Sequence, residues 1–321
     1  MTTTPDFPLL DIARWRDGTD EQRRRFAREL DLALRQSGFL LIGGHGIRER
    51  LRRDLRSAAR RFFRLPGDTK ARYATPVGGR GWIPVGGEAN AFYGEGTDAA
   101  RADLKESLTF GREFSTGDPA VDEEWFAPNV WPAECPDLKA LCERFTEEVR
   151  ALYLDLLRAC AVAFGLPEGW FVERVRSGPH SLNINRYLPR TETGVPLEGQ
   201  YRVAPHTDWG VLTILDRQPG QGGLQVQARD GRWLDAPHEP DALTVNVGDL
   251  LARWTGDRWR STRHRVLPPP AEAPDEELVS LIVFLESDLD AVIEPLAAGT
   301  AYAPVVASAY LRERASAATV A

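Results

Sequence analysis

The spacing of apolar residues divides the chain into an early part with helical periodicity and a later part with strand periodicity. Up to about residue 165, apolar side chains recur every three or four positions, whereas beyond about residue 180 they alternate with polar ones. A period near 3.6 is typical of amphipathic helices, and a period of 2 is typical of strands with one buried face. The pattern therefore predicts helices first and a strand-rich region after them.

The longest helical stripe is predicted to run from about Asp137 to Phe164, where the sequence Gly165-Leu166-Pro167 ends it. Two shorter helices are predicted before it, each after a short apolar strand. Residues from about 75 to 130 are rich in Gly and Pro, so we expect loops that cover another element. The early part is thus an N-terminal region, about 1–135, of helices with few strands.

The later part contains at least six strand candidates with no helix predicted between them, and Asp230-Gly231 is a strong hairpin signal between two of them. This arrangement is typical of an antiparallel sandwich or barrel. We predict a mainly β fold with α-helices, a jelly roll (double-stranded β-helix) flanked by the N-terminal region and one long helix. Residues 136–321 would form the long helix and jelly roll, sharing one core with 1–135. The strand candidates are residues 182–188, 212–215, 223–226, 233–234, 243–247 and 278–285.

Composition narrows the classes of partner. The chain has 321 residues, of which 42% are hydrophobic and 27% charged, as in an ordinary globular protein with a sizeable core. The net charge is −7, and no Lys/Arg-rich face with interleaved aromatics is visible, so we expect no nucleic-acid partner. No apolar run has membrane-spanning length, so no membrane partner is expected either. The oligomeric state stays open.

The three cysteines are odd in number and lack zinc-site spacing, which favours reduced thiols. The N-terminus shows no basic segment followed by an apolar run, so no secretory signal is predicted. Both observations predict a cytoplasmic protein.

One short stretch holds the candidate chemistry. Among five histidines, only His206 is followed two residues later by a carboxylate, Asp208, on the same predicted strand face. His264 enters another predicted strand and could supply a third ligand. Two histidines and one carboxylate can cover one face of an octahedron, as in non-haem Fe(II) oxygenases. A zinc hydrolase, although HExxH is absent, and a non-catalytic binding jelly roll with structural histidines stay open as alternatives.

Several motifs occur along nearly the whole chain in an order known from one family. By these motifs the chain resembles the isopenicillin N synthase-like branch of the Fe(II)/2-oxoglutarate-dependent oxygenases, whose N-terminal region is also of the kind predicted for 1–135. The motifs are Phe7-Pro8-Leu9-Leu10-Asp11, Gly38-Phe39, His45-Gly46-Ile47, Phe62-Phe63-Arg64-Leu65-Pro66, Arg80-Gly81-Trp82-Ile83-Pro84, Asn185-Arg186-Tyr187, His206-Thr207-Asp208, Gly222-Gly223-Leu224-Gln225-Val226, Asn246-Val247-Gly248-Asp249, His264-Arg265-Val266 and Tyr302-Ala303-Pro304-Val305.

The resemblance implies a mononuclear Fe(II) enzyme that uses O₂ and 2-oxoglutarate to hydroxylate, desaturate or cyclise a small molecule, such as a secondary metabolite. It implies that the iron ligands, and hence the catalytic centre, are His206, Asp208 and His264. It further implies that Tyr187 and Ser280 hold the distal carboxylate of 2-oxoglutarate. Asn185 would lie near the chelating end, and it shares a strand face with Tyr187.

The chain departs from the family at one position. The late strand normally reads Arg-x-Ser, and its arginine pairs with the distal carboxylate, but here the residues are Leu278-Val279-Ser280. A buried carboxylate without a cation costs on the order of several kcal/mol. Three explanations are open: a cation from elsewhere, with Arg202 first and Arg253 second; an oxidase that uses no 2-oxoglutarate, as isopenicillin N synthase does; or a less acidic cosubstrate. We favour the first, with Arg202 as the cosubstrate ligand.

Other residues have roles that the sequence leaves undecided. The aromatics Trp82, Phe92, Tyr93 and Trp209 could contact substrate or pack in the core and lid. Lys105 and Glu106 are predicted to form a structural pair.

Overall fold

The computed structural model describes residues 7–88, 101–296, 300 and 302–318, so Phe92 and Tyr93 lie outside the described residues. The helices are α1 Ala13–Arg16, α2 Asp20–Gln36, α3 Glu49–Phe63, α4 Gly67–Ala71, α5 Pro119–Trp125, α6 Leu138–Phe164, α7 Arg190–Thr193, α8 Asp249–Trp254 and α9 Ala307–Ala318. The strands are β1 Leu9–Asp11, β2 Phe39–Gly43, β3 Gly81–Ile83, β4 Lys105–Gly111, β5 His180–Tyr187, β6 Val203–His206, β7 Leu212–Asp216, β8 Leu224–Gln227, β9 Trp233–Asp235, β10 Leu243–Val247, β11 His264–Val266, β12 Leu278–Leu285, β13 Val292–Ile293 and β14 Val305–Val306.

Two sheets form the jelly roll. The major sheet has eight strands in the order β1-β2-β10-β7-β12-β5-β4-β3, and the minor sheet has four in the order β6-β11-β8-β9. Strands β13 and β14 form a separate two-stranded ribbon. Among the described pairs of strands in the two sheets, β1–β2 is parallel and the others are antiparallel. The prediction of a mainly β fold with a jelly-roll core is confirmed.

The alternating pattern located the strands of the second half closely. Strands β10 and β12 have the predicted bounds, and the other four differ from their predictions by at most two residues at either end. Strands β8 and β9 form the hairpin predicted from Asp230-Gly231. Gly231 has a φ of 85°, a conformation that glycine adopts without a Cβ penalty.

The long helix α6 matches the predicted stripe and ends at Gly165, which has the left-handed conformation of a helix C-cap. Helices α3 and α6 pack against β12, on the outer face of the major sheet. One hydrophobic cluster joins residues of these helices to residues of the sheet, for example Phe62, Leu152 and Val283. The opposite, inner face of the sheet is thereby left for polar chemistry.

Strands of the N-terminal part join the same sheet as those of the C-terminal part. Strand β2 pairs with β10, and β4 pairs with β5. The three cysteines are free thiols, and all are buried. In the part of the chain that the structure describes, no helix has the length and apolar character needed to cross a membrane.

Candidate active site

Three side chains from two neighbouring strands and the turn after one of them converge at the end of the minor sheet. His206 is the last residue of β6 and lies directly opposite His264, the first residue of β11. Asp208 follows in the turn after β6. Its Oδ1 atom lies 3.6 Å from Nε2 of His206 and 3.6 Å from Nε2 of His264. The potential ligand atoms of the three side chains all lie within 4.8 Å of one another, as a shared metal ion requires.

Backbone carbonyls orient both imidazole rings. Nδ1 of His206 lies 2.8 Å from the carbonyl oxygen of Ala204, and Nδ1 of His264 lies 3.1 Å from that of Thr262. Because a carbonyl oxygen only accepts, each Nδ1 carries the hydrogen. In the neutral ring, Nε2 then presents its lone pair, the arrangement found in metal-ligating histidines.

The carboxylate of Asp208 is held by its other oxygen. Oδ2 accepts hydrogen bonds from Thr213 Oγ1 at 2.5 Å and from Asn246 Nδ2 at 2.7 Å. Oδ1 is therefore the oxygen that faces the two imidazoles. The role of Thr213 was not predicted from the sequence. Strand alternation was the available signal, and the structure pairs Thr213 with Asn246 in the β7–β10 register.

Burial and mutual contact shift the pKa values of the three ionisable groups of the site. Burial and the neighbouring His206 lower the pKa of His264 to about 4. Burial opposes a charge on His206 as well, but the hydrogen bond and charge of Asp208 raise its pKa overall. Burial also opposes the negative charge of Asp208, yet the charges of His264 and His206 hold its pKa well below the usual range. The site thus contains a stable carboxylate and a neutral imidazole, two groups that bind divalent metals.

A wall of polar side chains lies on the inner face of the major sheet. Asn185 of β5 is in register with Ser280 of β12 on one side and with Ser107 of β4 on the other. Ser107 Oγ donates to Asn185 Oδ1 at 2.9 Å. Tyr187 is buried, and burial raises its pKa although hydrogen bonds with Asn185 and Ser280 oppose that shift. The structure therefore brings together Asn185, Tyr187 and Ser280.

Arg202 is fully buried at 0% exposure, but its guanidinium already has an anion. It donates to Glu276 Oε1 at 2.7 Å and to the Glu276 carbonyl oxygen at 2.6 Å. The regular strand that would align Arg202 with His206 is interrupted, because the β6–β11 register shifts between His264 and Val266. Its Cζ still lies 5.8 Å from the centre of the Tyr187 ring.

Arg253, the second candidate cation, makes contacts with the C-terminal segment. It donates to the carbonyl oxygen of Ala303 at 3.2 Å, and its Cζ lies 4.4 Å from the centre of the Tyr302 ring.

The predicted pair Lys105–Glu106 is wrong, because adjacent residues of β4 point to opposite faces of the sheet. Lys105 faces inward, where it forms an ion pair with Glu88 and donates to Ser107 Oγ at 3.0 Å. Glu106 faces outward and accepts from Arg186 Nη1 at 2.9 Å. It also accepts from Trp82 Nε1 at 2.8 Å and from Lys70 Nζ at 2.7 Å. Trp82 is therefore a packing residue, and Trp209 packs against the main hydrophobic cluster.

Comparison with known proteins gives the same family for both halves of the chain. Residues 7–134 match the model for the N-terminal region of non-haem dioxygenases in morphine synthesis, and residues 179–287 match the 2OG-Fe(II) oxygenase superfamily. The chain is 38% identical over 299 residues to validamycin A dioxygenase of Streptomyces hygroscopicus subsp. limoneus, covering 92% of this chain and 80% of that one. It is 34% identical over 268 residues to proline hydroxylase buaE of Petromyces alliaceus, covering 81% and 80%.

Solved structures agree with these relatives. A full-length Neurospora crassa protein, crystallised in complex with alpha-KG and thymine, superimposes with a TM-score of 0.83 at 28% identity, covering 97% of this chain and 96% of that one. Relatives named as 2-oxoglutarate-dependent dioxygenases, such as ecdK of Aspergillus rugulosus at 32% identity over 81% of this chain and 80% of that one, argue against the oxidase, hydrolase and non-catalytic alternatives. Fe(II) is the cofactor of this family, and 2-oxoglutarate and O₂ are its cosubstrates. The chain belongs to the 2OG-Fe(II) oxygenase superfamily, in its isopenicillin N synthase-like branch, and is a 2-oxoglutarate-dependent dioxygenase.

Proposed function

We propose that His206, Asp208 and His264 bind one Fe(II) ion and that the enzyme uses it to oxidise a polar small molecule of secondary metabolism. The observation that supports the metal assignment is the convergence of three ligand atoms within 4.8 Å. Each of the three residues also has its non-ligating atom fixed by a hydrogen bond. Such support from outside the ligand set is typical of metal sites, since it orients the ligands before the ion arrives.

The bound iron supplies a two-electron oxidation in which O₂ and 2-oxoglutarate yield succinate, CO₂ and an oxidised substrate. The chain's own residues bind and orient the reactants. His206, Asp208 and His264 would hold the ion through three protein ligands, which would leave its remaining coordination sites to the cosubstrate and O₂. Tyr187, Ser280 and Asn185 are the proposed ligands of 2-oxoglutarate, because they present hydroxyl and amide groups on the inner wall.

Two unpaired polar atoms favour a polar substrate. Thr109 of β4 and Asn183 of β5 are in register on the inner face, on the strand positions next to Ser107 and Asn185. Thr109 Oγ1 and Asn183 Oδ1 are buried, and neither has a hydrogen-bond partner among the described residues. Buried polar atoms are normally satisfied, so a substrate hydroxyl or amine is a fitting partner. The named reactants of the relatives, validamycin A, proline and thymine, are suitable first compounds.

The metal assignment is tested without turnover. Anaerobic addition of Fe(II) and 2-oxoglutarate to the purified protein is expected to give a weak visible charge-transfer band. Asp208→Ala is expected to abolish tight Fe(II) binding, whereas Asp235→Ala, on the exposed part of β9, is the matched control and should bind normally. Retention of tight binding by Asp208→Ala would contradict the ligand assignment.

The reaction is tested next. With O₂ and each candidate compound, succinate formation is expected to match the loss of substrate one to one, and mass spectrometry of the product separates hydroxylation from desaturation or cyclisation. Thr109→Val and Asn183→Leu should raise the KM of a polar substrate without changing Fe(II) affinity. If neither variant changes the KM, the polar-substrate proposal fails.

A further inference from the structure

The residue that directly follows β7, the second strand that pairs with β12, is an arginine. Strand β12 pairs with β7 so that Leu281 lies opposite Asp216, and continuing this antiparallel register by one residue places Arg217 opposite Ser280. Asp216 points to the outer face, where Arg56 Nη2 lies 2.9 Å from its Oδ2. Because side chains alternate along the chain, Arg217 points to the inner face, the face of Ser280 and Asn185.

The contacts of Arg217 agree with this direction. Its Nε donates to Thr244 Oγ1 at 3.2 Å, and Nη2 donates to the carbonyl oxygens of Ala236, at 3.0 Å, and of Pro237. Thr244 lies on β10 two residues before Asn246, so it shares the inner face with that ligand-holding residue. Arg217 therefore reaches the interior of the barrel.

Arg217 is a partly buried cation whose hydrogen-bond partners among the described residues are all neutral. Among the described residues, no carboxylate forms an ion pair with it. Burial lowers its pKa to about 10, and the nearby Tyr187 is the group that opposes this shift. A cation held away from water without an anion is costly. An anion placed beside Tyr187 would remove that cost.

The other cations near Tyr187 are already paired. Arg202 has Glu276, and Lys105, which lies opposite Tyr187 in the β4–β5 register, has Glu88. The position where the family carries its arginine holds the apolar Leu278, whose methyl groups lie against Gly220.

We propose that Arg217 binds the distal carboxylate of 2-oxoglutarate, together with Tyr187 and Ser280, and so takes the place of the arginine missing at Leu278. In the family the arginine lies on the strand that corresponds to β12, whereas Arg217 directly follows the neighbouring strand β7 and reaches the same interior. The three hydrogen bonds described above use Nε and Nη2 of Arg217, so Nη1 is the group that would donate to the carboxylate. The inference deepens the proposed function and rests on 2-oxoglutarate binding beside the iron site.

The test compares two ligands in an anaerobic equilibrium titration of the Fe(II) protein. One is 2-oxoglutarate, and the other is 2-oxopentanoate, which has a methyl group in place of the distal carboxylate. Binding is followed by the charge-transfer band and by calorimetry with Mn(II), so no turnover is needed. The wild type is expected to prefer 2-oxoglutarate by at least about 30-fold, the ratio that 2 kcal/mol gives. In Arg217→Gln that preference should fall below about threefold, with the affinity for 2-oxopentanoate nearly unchanged.

Four further variants keep the test decisive. Arg202→Gln and Arg253→Gln are the matched controls and should keep the preference. If Arg217→Gln does not fold, Arg217→Lys is used, which retains the charge without the planar guanidinium held by Thr244, Ala236 and Pro237, and should lose about tenfold of the preference. The double variant Arg217→Gln, Leu278→Arg returns the cation to β12 and is expected to restore the preference.

The outcomes separate the two levels of inference. A wild-type protein that gives no charge-transfer band and binds neither ligand overturns both the proposed function and the role of Arg217. A wild type that binds 2-oxoglutarate, with an undiminished preference in Arg217→Gln or with the loss in Arg202→Gln instead, overturns the role of Arg217 alone.

Discussion

The side-chain amide of Asn246 donates to Oδ2 of Asp208 over 2.7 Å, from the strand next to the one that carries Thr213. Thr213 donates to the same oxygen over 2.5 Å. Two donors from two strands of the major sheet thus fix a carboxylate that belongs to the turn after the minor-sheet strand β6. The proposed metal ligands are in this way tied to both sheets.

Removal of the Asn246 amide should therefore weaken iron binding, although all three proposed ligand residues are still present. Asn246→Ala lets the carboxylate of Asp208 rotate, and we expect Fe(II) affinity to fall about 10–100-fold, the usual effect of losing such a support. An anaerobic competition titration with a metal chelator measures the change. Asn183→Ala, on the inner face of β5 without a bond to Asp208, is the control. Equal affinity in both variants would show that Asn246 does not orient the ligand.

Gly210 allows the carboxyl group of Glu286 to lie against the turn after Asp208. A Cβ at Gly210 would overlap this carboxyl group, so the glycine is required by close approach. Burial, with the charges of Asp208 and Asp249, raises the pKa of Glu286 to about 8 from its usual 4.5. Its Oε2 atom is buried without a partner among the described residues. Glu286 is therefore protonated in the folded, metal-free protein at neutral pH.

This shift predicts a pH-dependent stability. The folded state holds a proton on Glu286 up to about pH 8, whereas the unfolded chain releases it near pH 4.5. The contribution of Glu286 to the free energy of unfolding is thus complete below pH 4.5 and is lost as pH rises to 8. Over this range the free energy of unfolding falls by about 1.4 kcal/mol per pH unit. Glu286→Gln keeps the shape and removes the titration.

Urea unfolding of the metal-free wild type and of Glu286→Gln, at pH 5 and at pH 8, measures this dependence. The two proteins are expected to differ little at pH 5, and at pH 8 the variant should be the more stable by at least about 1 kcal/mol. A difference in unfolding free energy that stays constant between the two pH values would contradict a protonated Glu286.

The sequence predicted what depends on local periodicity. Strand β12 and helix α6 both follow from residues close together in the chain. His206 and Asp208 were predicted on one strand face, but β6 ends at His206 and Asp208 lies after it. The partner His264 followed from the resemblance to a family. The strand bounds were accurate because turn residues separate the alternating runs.

Failures occurred where the outcome depends on pairing between distant strands. The alignment of Arg202 assumed a regular strand, but a register shift between β6 and β11 breaks it. Arg217 was not considered, because its direction toward Ser280 depends on which strand lies beside β12. Lys105 and Glu106 were paired although neighbouring strand residues face apart, and their ion-pair partners are 17 or more positions away in the chain. Local pattern carries no information on such register.

Glu106 is a buried carboxylate that holds three donors on the outer face of the major sheet, and its side chain is 1% exposed. Arg186 also pairs with Glu192, whose side chain is 46% exposed. Removing the buried partner leaves the ammonium group of Lys70, whose side chain is 13% exposed, without its carboxylate, so Glu106→Gln should lower the unfolding free energy by about 2–4 kcal/mol. Glu192→Gln loses a bond to the same arginine but should cost less than about 1 kcal/mol. Chemical denaturation of both variants tests the contrast, and equal costs would refute it.

Asp249 connects helix α9 to the loop of residues 207–210, which carries Asp208. The backbone N–H of Asp249 donates to the carbonyl oxygen of Asp208 at 2.8 Å. Its Oδ2 accepts from Arg314 Nη2 at 2.8 Å and from Tyr310 Oη at 2.9 Å, and its Oδ1 accepts from Ser261 Oγ at 2.5 Å. Loss of Arg314 should therefore loosen α9 from the loop that positions Asp208.

Two arginines of α9 provide a matched comparison for this attachment. Arg314 pairs with a carboxylate whose side chain is 11% exposed, whereas Arg312 pairs with Glu124 in a bridge whose side chains are 50% and 41% exposed. Arg314→Ala is expected to lower the unfolding free energy by about 1.5–3 kcal/mol, because a charge-assisted bond to a buried group is lost. Arg312→Ala should cost at most about 1 kcal/mol, since water screens the exposed pair. We also expect faster amide hydrogen exchange in residues 207–210 of Arg314→Ala, but not of Arg312→Ala. Unchanged exchange in these residues of Arg314→Ala would show that α9 does not stabilise the loop 207–210.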